Sequence, residues 1–104
     1  MPNKWEIWFA KVKFDDNPSV VKMRPVLVVD LNQCYILSLK ITGHSPRVNY
    51  QGEYSIIKWA EAGLAKESTI RCSKKLKLIF SDFEYKLGKL HPIDIIAVQN
   101  ILEN

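Results

Sequence analysis

The run Val26-Leu27-Val28-Val29, opened by Arg24-Pro25, constrains this chain more than any other stretch. Four adjacent branched apolar residues read as a strand buried on both faces. Proline has no N–H to give to a ladder, so Pro25 is acceptable only at the first positions of such a strand, expected over Arg24 to Leu31. A guanidinium at the mouth of a buried strand stays charged and offers a planar fork to phosphate. One strand later the chain reads Ile41-Thr42-Gly43, which adds a hydroxyl at a strand end. Together these residues suit phosphate handling.

Elsewhere the dominant period is two, the mark of half-buried strands. From Trp5 to Phe14, one face carries Trp8, Ala10, Val12 and Phe14, and the other Trp5, Ile7 and Phe9 before turning polar at Lys11 and Lys13. Asp15 to Ser19 has turn chemistry and reads as a loop. Asn32-Gln33 reads as a short hairpin connection into a strand from Cys34 to Thr42. There Tyr35, Leu37, Leu39 and Ile41 share one face, and Ser38, Lys40 and Thr42 the other, which puts Thr42 toward solvent. Gly43 to Arg47 is a second loop, and Val48 to Ile57 a strand broken by Gly52. Trp59 to Leu64 fits a single helical turn closed by Gly63. Ser68 to Ser73 and Leu76 to Phe80 read as two further short strands. A helix starts at His91, with Pro92 at its first position and Asp94 in its first turn. Its apolar stripe is Ile93, Ile96, Ala97 and Ile101, widened by Ile95, Val98 and Leu102. Short, numerous strands favour a barrel, so the expectation is a mainly β fold, a small barrel with a C-terminal α-helix.

With 104 residues, 47% hydrophobic and 25% charged, the chain fits one folded domain over residues 1–104. No apolar run approaches the length of a membrane span, and the N-terminus lacks the apolar core of a secretion signal, so a cytoplasmic protein with no membrane partner is expected. Cys34 and Cys72 stand apart and read as reduced, buried thiols. The net charge of +4 permits an acidic partner without naming it. Lys66, Arg71, Lys74, Lys75 and Lys77 are opposed only by Glu67, which makes this stretch either a lysine-protected edge or a rim for a polyanion. No His, Cys, Asp and Glu cluster has metal-ligand spacing, and neither a glycine-rich phosphate loop nor a Ser-His-Asp arrangement is visible.

The first strand and its loop, Arg24-Pro25 with the apolar run behind it, Ile41-Thr42-Gly43, and Leu87-Gly88-Lys89-Leu90 before a final helix resemble the MazF/PemK toxins along nearly the whole chain. Ile70-Arg71-Cys72-Ser73 looks like the PemK/Kid branch, where an Arg-Cys-Asp triplet carries catalytic residues. The resemblance implies an SH3-like barrel, a homodimer, and an endoribonuclease that cuts single-stranded mRNA at short motifs without metal or cofactor. It further implies a cognate acidic antitoxin that blocks the RNA groove. Carried over by position, Arg24, Thr42 and Arg71 are the catalytic candidates. His44, Ser73, Lys74 and Lys75 are the candidates for holding RNA. The chain departs from the family in three places: Lys4-Trp5-Glu6-Ile7 keeps only Glu6-Ile7 of the family's usual opening, its first loop has no histidine, and Ser73 stands where the triplet has aspartate.

Metal-free RNA cleavage uses the ribose 2′-hydroxyl as nucleophile, so one group must take its proton and another must supply one to the leaving 5′-oxygen. Two arginines suit the charge on phosphorus but scarcely deprotonate. His44, two residues past Thr42, is the imidazole that could stand in for the missing loop histidine; the other reading is an ordinary surface-loop histidine. Arg24 could alternatively pair with Asp15 or Asp16, Thr42 could serve strand propensity, and Arg71 could be an edge cation. Tyr54 and Trp59 could stack bases or fill the core. Two other functions remain open: a catalytically weak module that binds RNA or antitoxin, and a gyrase poison of CcdB type.

Overall fold

The alternating segments form strands wherever both of their faces find cover. The computed structural model describes residues 1–13, 17 and 19–103. β1 (Glu6–Lys13), β2 (Val21–Leu31), β3 (Ile36–Thr42), β4 (Glu53–Ser55), β5 (Thr69–Leu78) and β6 (Phe83–Lys89) precede α1 (Pro92–Glu103). They form one antiparallel sheet in the order β4-β5-β3-β2-β1-β6. Irregularities in register between Val28 and Asp30, and between Leu39 and Lys40, bend the sheet, which coils into a small barrel.

β2 is buried on both faces, as its composition requires. Leu27 and Val29 join Ile7, Leu39, Ile41, Ile70 and Val98 in the main core, whereas Val26 joins Ala10, Val12 and Leu78 in a second cluster behind the sheet. Removing such side chains from water contributes about 1.5–3 kcal/mol each. Tyr54 and Trp59 pack on the main core, which favours the core reading of both.

Several boundaries differ from the sequence reading. The first strand begins after Trp5, whose φ of 72° takes it out of the ladder. Trp5 is fixed there by its N–H donating to the Val28 carbonyl and its carbonyl accepting from Leu90. Phe14, and Asp15, Asp16 and Pro18 of the expected loop, lie outside the described residues. β3 starts at Ile36, because Asn32 Oδ1 accepts from the N–H groups of Cys34 and Tyr35 and holds them in the turn. Cys34 is therefore exposed, contrary to expectation, while Cys72 is buried; both are free thiols. Only Glu53–Ser55 of the expected Val48–Ile57 strand pairs. The two short strands expected after Ser68 are one continuous β5, and β6 was not anticipated because Phe83-Glu84-Tyr85-Lys86-Leu87 mixes exposed and half-buried positions.

The turn around Trp59–Leu64 closes as expected. Leu64 N–H donates to the Trp59 carbonyl and Gly63 N–H to the Ala60 carbonyl, with Gly63 at φ 92°, a Schellman closure. Helix α1 starts at Pro92 as expected, and His91 Nδ1 accepts from the Ile93 N–H. Its inner face is different: Val98 and Asp94 are buried, Ile95, Ile101 and Leu102 pack on the core, and Ile93 and Ile96 are exposed. The polar Asp94 turns inward because it accepts from Tyr54 Oη and from the backbone N–H groups of Ile57 and Lys58. That rotation carries Ile93 and Ile96 out. Among the described residues no helix is long and apolar enough to cross a membrane.

Candidate functional site

The cleft arises where proline interrupts a ladder. β2 pairs with β1 from Val21 to Leu27, but its pairing with β3 begins only at Val26 opposite Lys40. Pro25 has no N–H to extend that ladder toward Ile41 and Thr42, which are held by β5 on the other edge of β3, at Ile70 and Thr69. Pro25 thus sits well inside an eleven-residue strand rather than at its first positions. It is tolerated because β2 has no β3 partner there. Between the parted strands lies a cavity of about 550 Å³.

Arg24, Thr42, His44 and Arg71 all line this cavity, with Lys40 and Lys66 beside them. Arg24 is half-buried, and its Nη1 donates to the Met23 carbonyl at 2.9 Å. The alternative pairing of Arg24 with Asp15 or Asp16 falls outside the described residues. Thr42 is not the solvent-facing residue that alternation implied. Its Oγ1 is buried, because the β3 face it shares with Ser38 is covered, and among the described residues it has no hydrogen-bond partner. A hydroxyl placed on the lining of the cleft is in position to hydrogen-bond a ligand oxygen there. His44 is exposed at the rim, with Nδ1 2.9 Å from the Ser45 carbonyl. A carbonyl only accepts, so this contact puts the proton on Nδ1, and the neutral ring keeps its lone pair on Nε2.

Arg71 is no edge cation, for β5 is flanked there by β3 and β4. Its Nε donates to Glu53 Oε2 at 3.2 Å. Glu53 also accepts from the Arg47 N–H at 2.9 Å and from Arg47 Nη2 at 2.8 Å. The Arg47 hydrogen bond, opposed by burial and aided by the charges of Arg47 and Arg71, holds the Glu53 carboxyl at about 2. Arg47 in turn lies over the Tyr50 ring, its Cζ 3.6 Å from the centroid. The sequence reading passed over Glu53, Arg47, Tyr50 and Lys66. Only the register that sets Glu53 opposite Arg71 reveals the first three, and Lys66 had been noted only as part of the basic run.

The RNA-holding candidates divide. His44 is in the cleft, but Ser73 and Lys75 line a separate cavity of about 480 Å³ with Gln51, Gly52, Cys72, Ile101 and Leu102. The cause is the irregularity in β5, where Cys72, Ser73 and Lys74 fall between the residues opposite Lys40 and Leu39. Lys74 is within neither set of lining residues. Burial pushes the Cys72 thiol up to about 11, which makes it unreactive. The basic run is thus spread over several surfaces, with Lys77 Nζ 5.0 Å from the Tyr35 ring centroid. Among the described residues no three His, Cys, Asp or Glu side chains gather as a metal site.

No protein-family model matches the chain, and no curated protein does. Solved structures do. The Mycobacterium tuberculosis toxin MazF-mt6 superposes with a TM-score of 0.73 at 20% identity, covering 95% of this chain and 93% of that one. An endoribonuclease in complex with its cognate antitoxin, from mycobacterial species, has a TM-score of 0.73 at 11% identity, covering 98% of this chain and 91% of that one. The six-stranded antiparallel sheet with its C-terminal helix is therefore the MazF fold.

Proposed function

We propose that this chain is the toxin of a toxin–antitoxin pair, a metal-independent endoribonuclease that cuts single-stranded mRNA at short sequence motifs. The observation that carries this reading is the shared cleft: Arg24, Thr42 and Arg71, from three different strands, line one cavity with the imidazole of His44.

The chemistry follows from that set. The ribose 2′-oxygen attacks phosphorus, the bond from phosphorus to the 5′-oxygen breaks, and a 2′,3′-cyclic phosphate and a 5′-hydroxyl result. His44 Nε2 takes the 2′ proton, and the departing 5′-oxygen takes its proton from solvent at the open rim where His44 sits. Arg24 and Arg71 hold the negative charge that builds on the non-bridging oxygens, a role that needs fixed donors rather than proton carriers. Thr42 Oγ1, on the lining of the cleft, orients the scissile phosphate. Lys40 and Lys66 add positive charge around the path of the backbone.

A cognate acidic antitoxin and a second copy of the chain are the partners of this reading, and the cytoplasm is its compartment. One neighbour in fold is an endoribonuclease bound to its cognate antitoxin, which supports the first. The test is growth: induced expression arrests cells, and Arg24→Ala relieves the arrest at equal protein level. Arrest that persists unchanged in Arg24→Ala removes Arg24 from the chemistry.

A second reading is a module that binds RNA or antitoxin and cleaves weakly. The exposure of His44 favours it, because proton transfer then depends on one solvent-washed ring. Retarded but intact RNA in a gel would select this module.

A further inference from the structure

Three charged side chains stand in register across the sheet at the cleft. Arg71 of β5 lies opposite Lys40 of β3 on one side and Glu53 of β4 on the other. A guanidinium as covered as that of Arg71 needs an anion beside it. Glu53 meets that need from inside the protein: its side chain is 1% exposed and that of Arg71 14%. At so dry a site the pairing is strong and geometrically fixed.

We infer that Glu53 is a positioning residue, whose carboxylate sets the plane of the Arg71 guanidinium and fastens the loop bearing His44 to β5. The inference rests on the ribonuclease reading above. A guanidinium is planar, so a bond at Nε fixes the direction of both Nη groups, the atoms left to face a phosphate. The same carboxylate accepts twice from Arg47, on the loop that follows His44. The Tyr50 ring lies 3.6 Å from the Arg47 Cζ and 5.7 Å from that of Arg71, so the two cations share one ring as well as one anion. Thr69 Oγ1 adds a second tie by donating to the His44 carbonyl. The strand half of the cleft and its loop half are thereby held in one geometry. Glu53 itself is not the base: with its carboxyl held at about 2, it has no proton affinity to offer at neutral pH.

Glu53→Gln in the full chain tests this. The variant leaves the guanidiniums of Arg47 and Arg71 together without the anion they share, so Arg71 swings out of line. The kcat on a single-stranded RNA is expected to fall about ten- to hundredfold, the scale of a small misplacement of a reacting group. KM is expected to hold or fall, since the variant carries one more net positive charge toward a polyanion. By ¹⁵N NMR, solvent exchange of the Arg71 Nε–H is expected to accelerate by at least about tenfold on loss of its charged acceptor. A purely structural role would lower Tm without separating kcat from KM. A folded Glu53→Gln variant with wild-type kcat, or with unchanged Arg71 Nε–H exchange, overturns the inference. Should that variant not fold, Glu53→Asp decides, because it keeps the charge but withdraws it by one methylene. Joint loss of kcat and of Nε–H protection supports the inference, and any other result overturns it. Wild-type protein that leaves RNA intact overturns the ribonuclease reading alone, since the exchange measurement reports on Glu53 without cleavage.

Discussion

Gly63 and Gly88 meet back to back, each packed so closely on the backbone of the residue before the other that it has no room for a side chain. A Cβ on Gly63 would stand 2.1 Å from the Leu87 carbonyl oxygen, and one on Gly88 would stand 2.2 Å from the Ala62 carbonyl oxygen. The turn at Trp59–Leu64 is thereby clamped on β6, and the residues just after it, Leu64 to Lys66, form one wall of the cleft. Gly88→Ala is expected to destabilise the protein by about 2–4 kcal/mol, because the clash is with backbone and cannot relax by rotamer change. Urea unfolding checks this; a change below about 0.5 kcal/mol, the level of a surface substitution, would contradict the clamp.

Thr42→Val separates fold from function. The side chains have nearly the same shape, and the wild-type Oγ1 makes no hydrogen bond. Stability is expected to stay level or rise by about 1 kcal/mol, while cleavage falls by about 10²–10³ if the hydroxyl is a fixed donor to phosphate. Paired unfolding curves and cleavage rates measure both. A destabilised variant with normal cleavage would assign Thr42 to the fold.

Asp94 ties the helix to the turn before the cleft wall, accepting from Tyr54 Oη and two backbone N–H groups. Asp94→Asn turns one acceptor into a donor facing donors, and a loss of about 2–4 kcal/mol is expected. Burial first, then the Asp94 carboxylate, pushes the Tyr54 phenol well above its ordinary 10.0. The unfolded chain ionises Tyr54 more readily, so stability from this contact is present below pH 10.0 and declines above it. Ultraviolet titration should show one of the tyrosines resisting ionisation in the wild type and ionising at lower pH in Asp94→Asn, while burial still holds it above its ordinary 10.0.

Acid stability follows from Glu6 and Glu53, both held at about 2 against an ordinary 4.5. For Glu6, burial opposes the shift, and hydrogen bonds from Lys86, Trp8 and Asn3 overcome it. A carboxyl with a lowered folded-state value stabilises the fold fully above pH 4.5, and that contribution is lost as pH falls toward about 2. Stability should therefore decline steeply over that window, and Glu6→Gln or Glu53→Gln should flatten the decline. Unfolding free energies between pH 2 and pH 7 give the comparison; parallel curves for the variants would contradict the assignment.

Much of this was legible in the residues. Apolar faces at period two located β1 and β3, a run apolar on both faces located β2, proline and glycine punctuation located the helix start and the closed turn, and the resemblance to MazF/PemK toxins singled out Arg24, Thr42 and Arg71. What escaped depended on pairing between distant segments. Alternation faced Thr42 toward solvent because it cannot register that the second face of β3 is also covered. The helix stripe failed at Asp94, whose inward turn is determined by donors on Tyr54, Ile57 and Lys58. Ser73 and Lys75 left the site because of an irregularity in β5 that no local pattern announces. Glu53 was invisible for the same reason: only the β4–β5 register brings it to Arg71.

The central claim is that Arg24, Thr42 and Arg71 act together on one phosphate of a single-stranded RNA without a metal. The most direct measurement is incubation of purified protein with a long single-stranded RNA in EDTA, followed by mapping of the new ends. The account predicts discrete cuts at recurring short motifs, bearing 2′,3′-cyclic phosphate and 5′-hydroxyl ends, at rates reduced by about 10²–10³ in Arg24→Ala. Intact RNA under those conditions, or cuts that Arg24→Ala leaves unchanged, would contradict it.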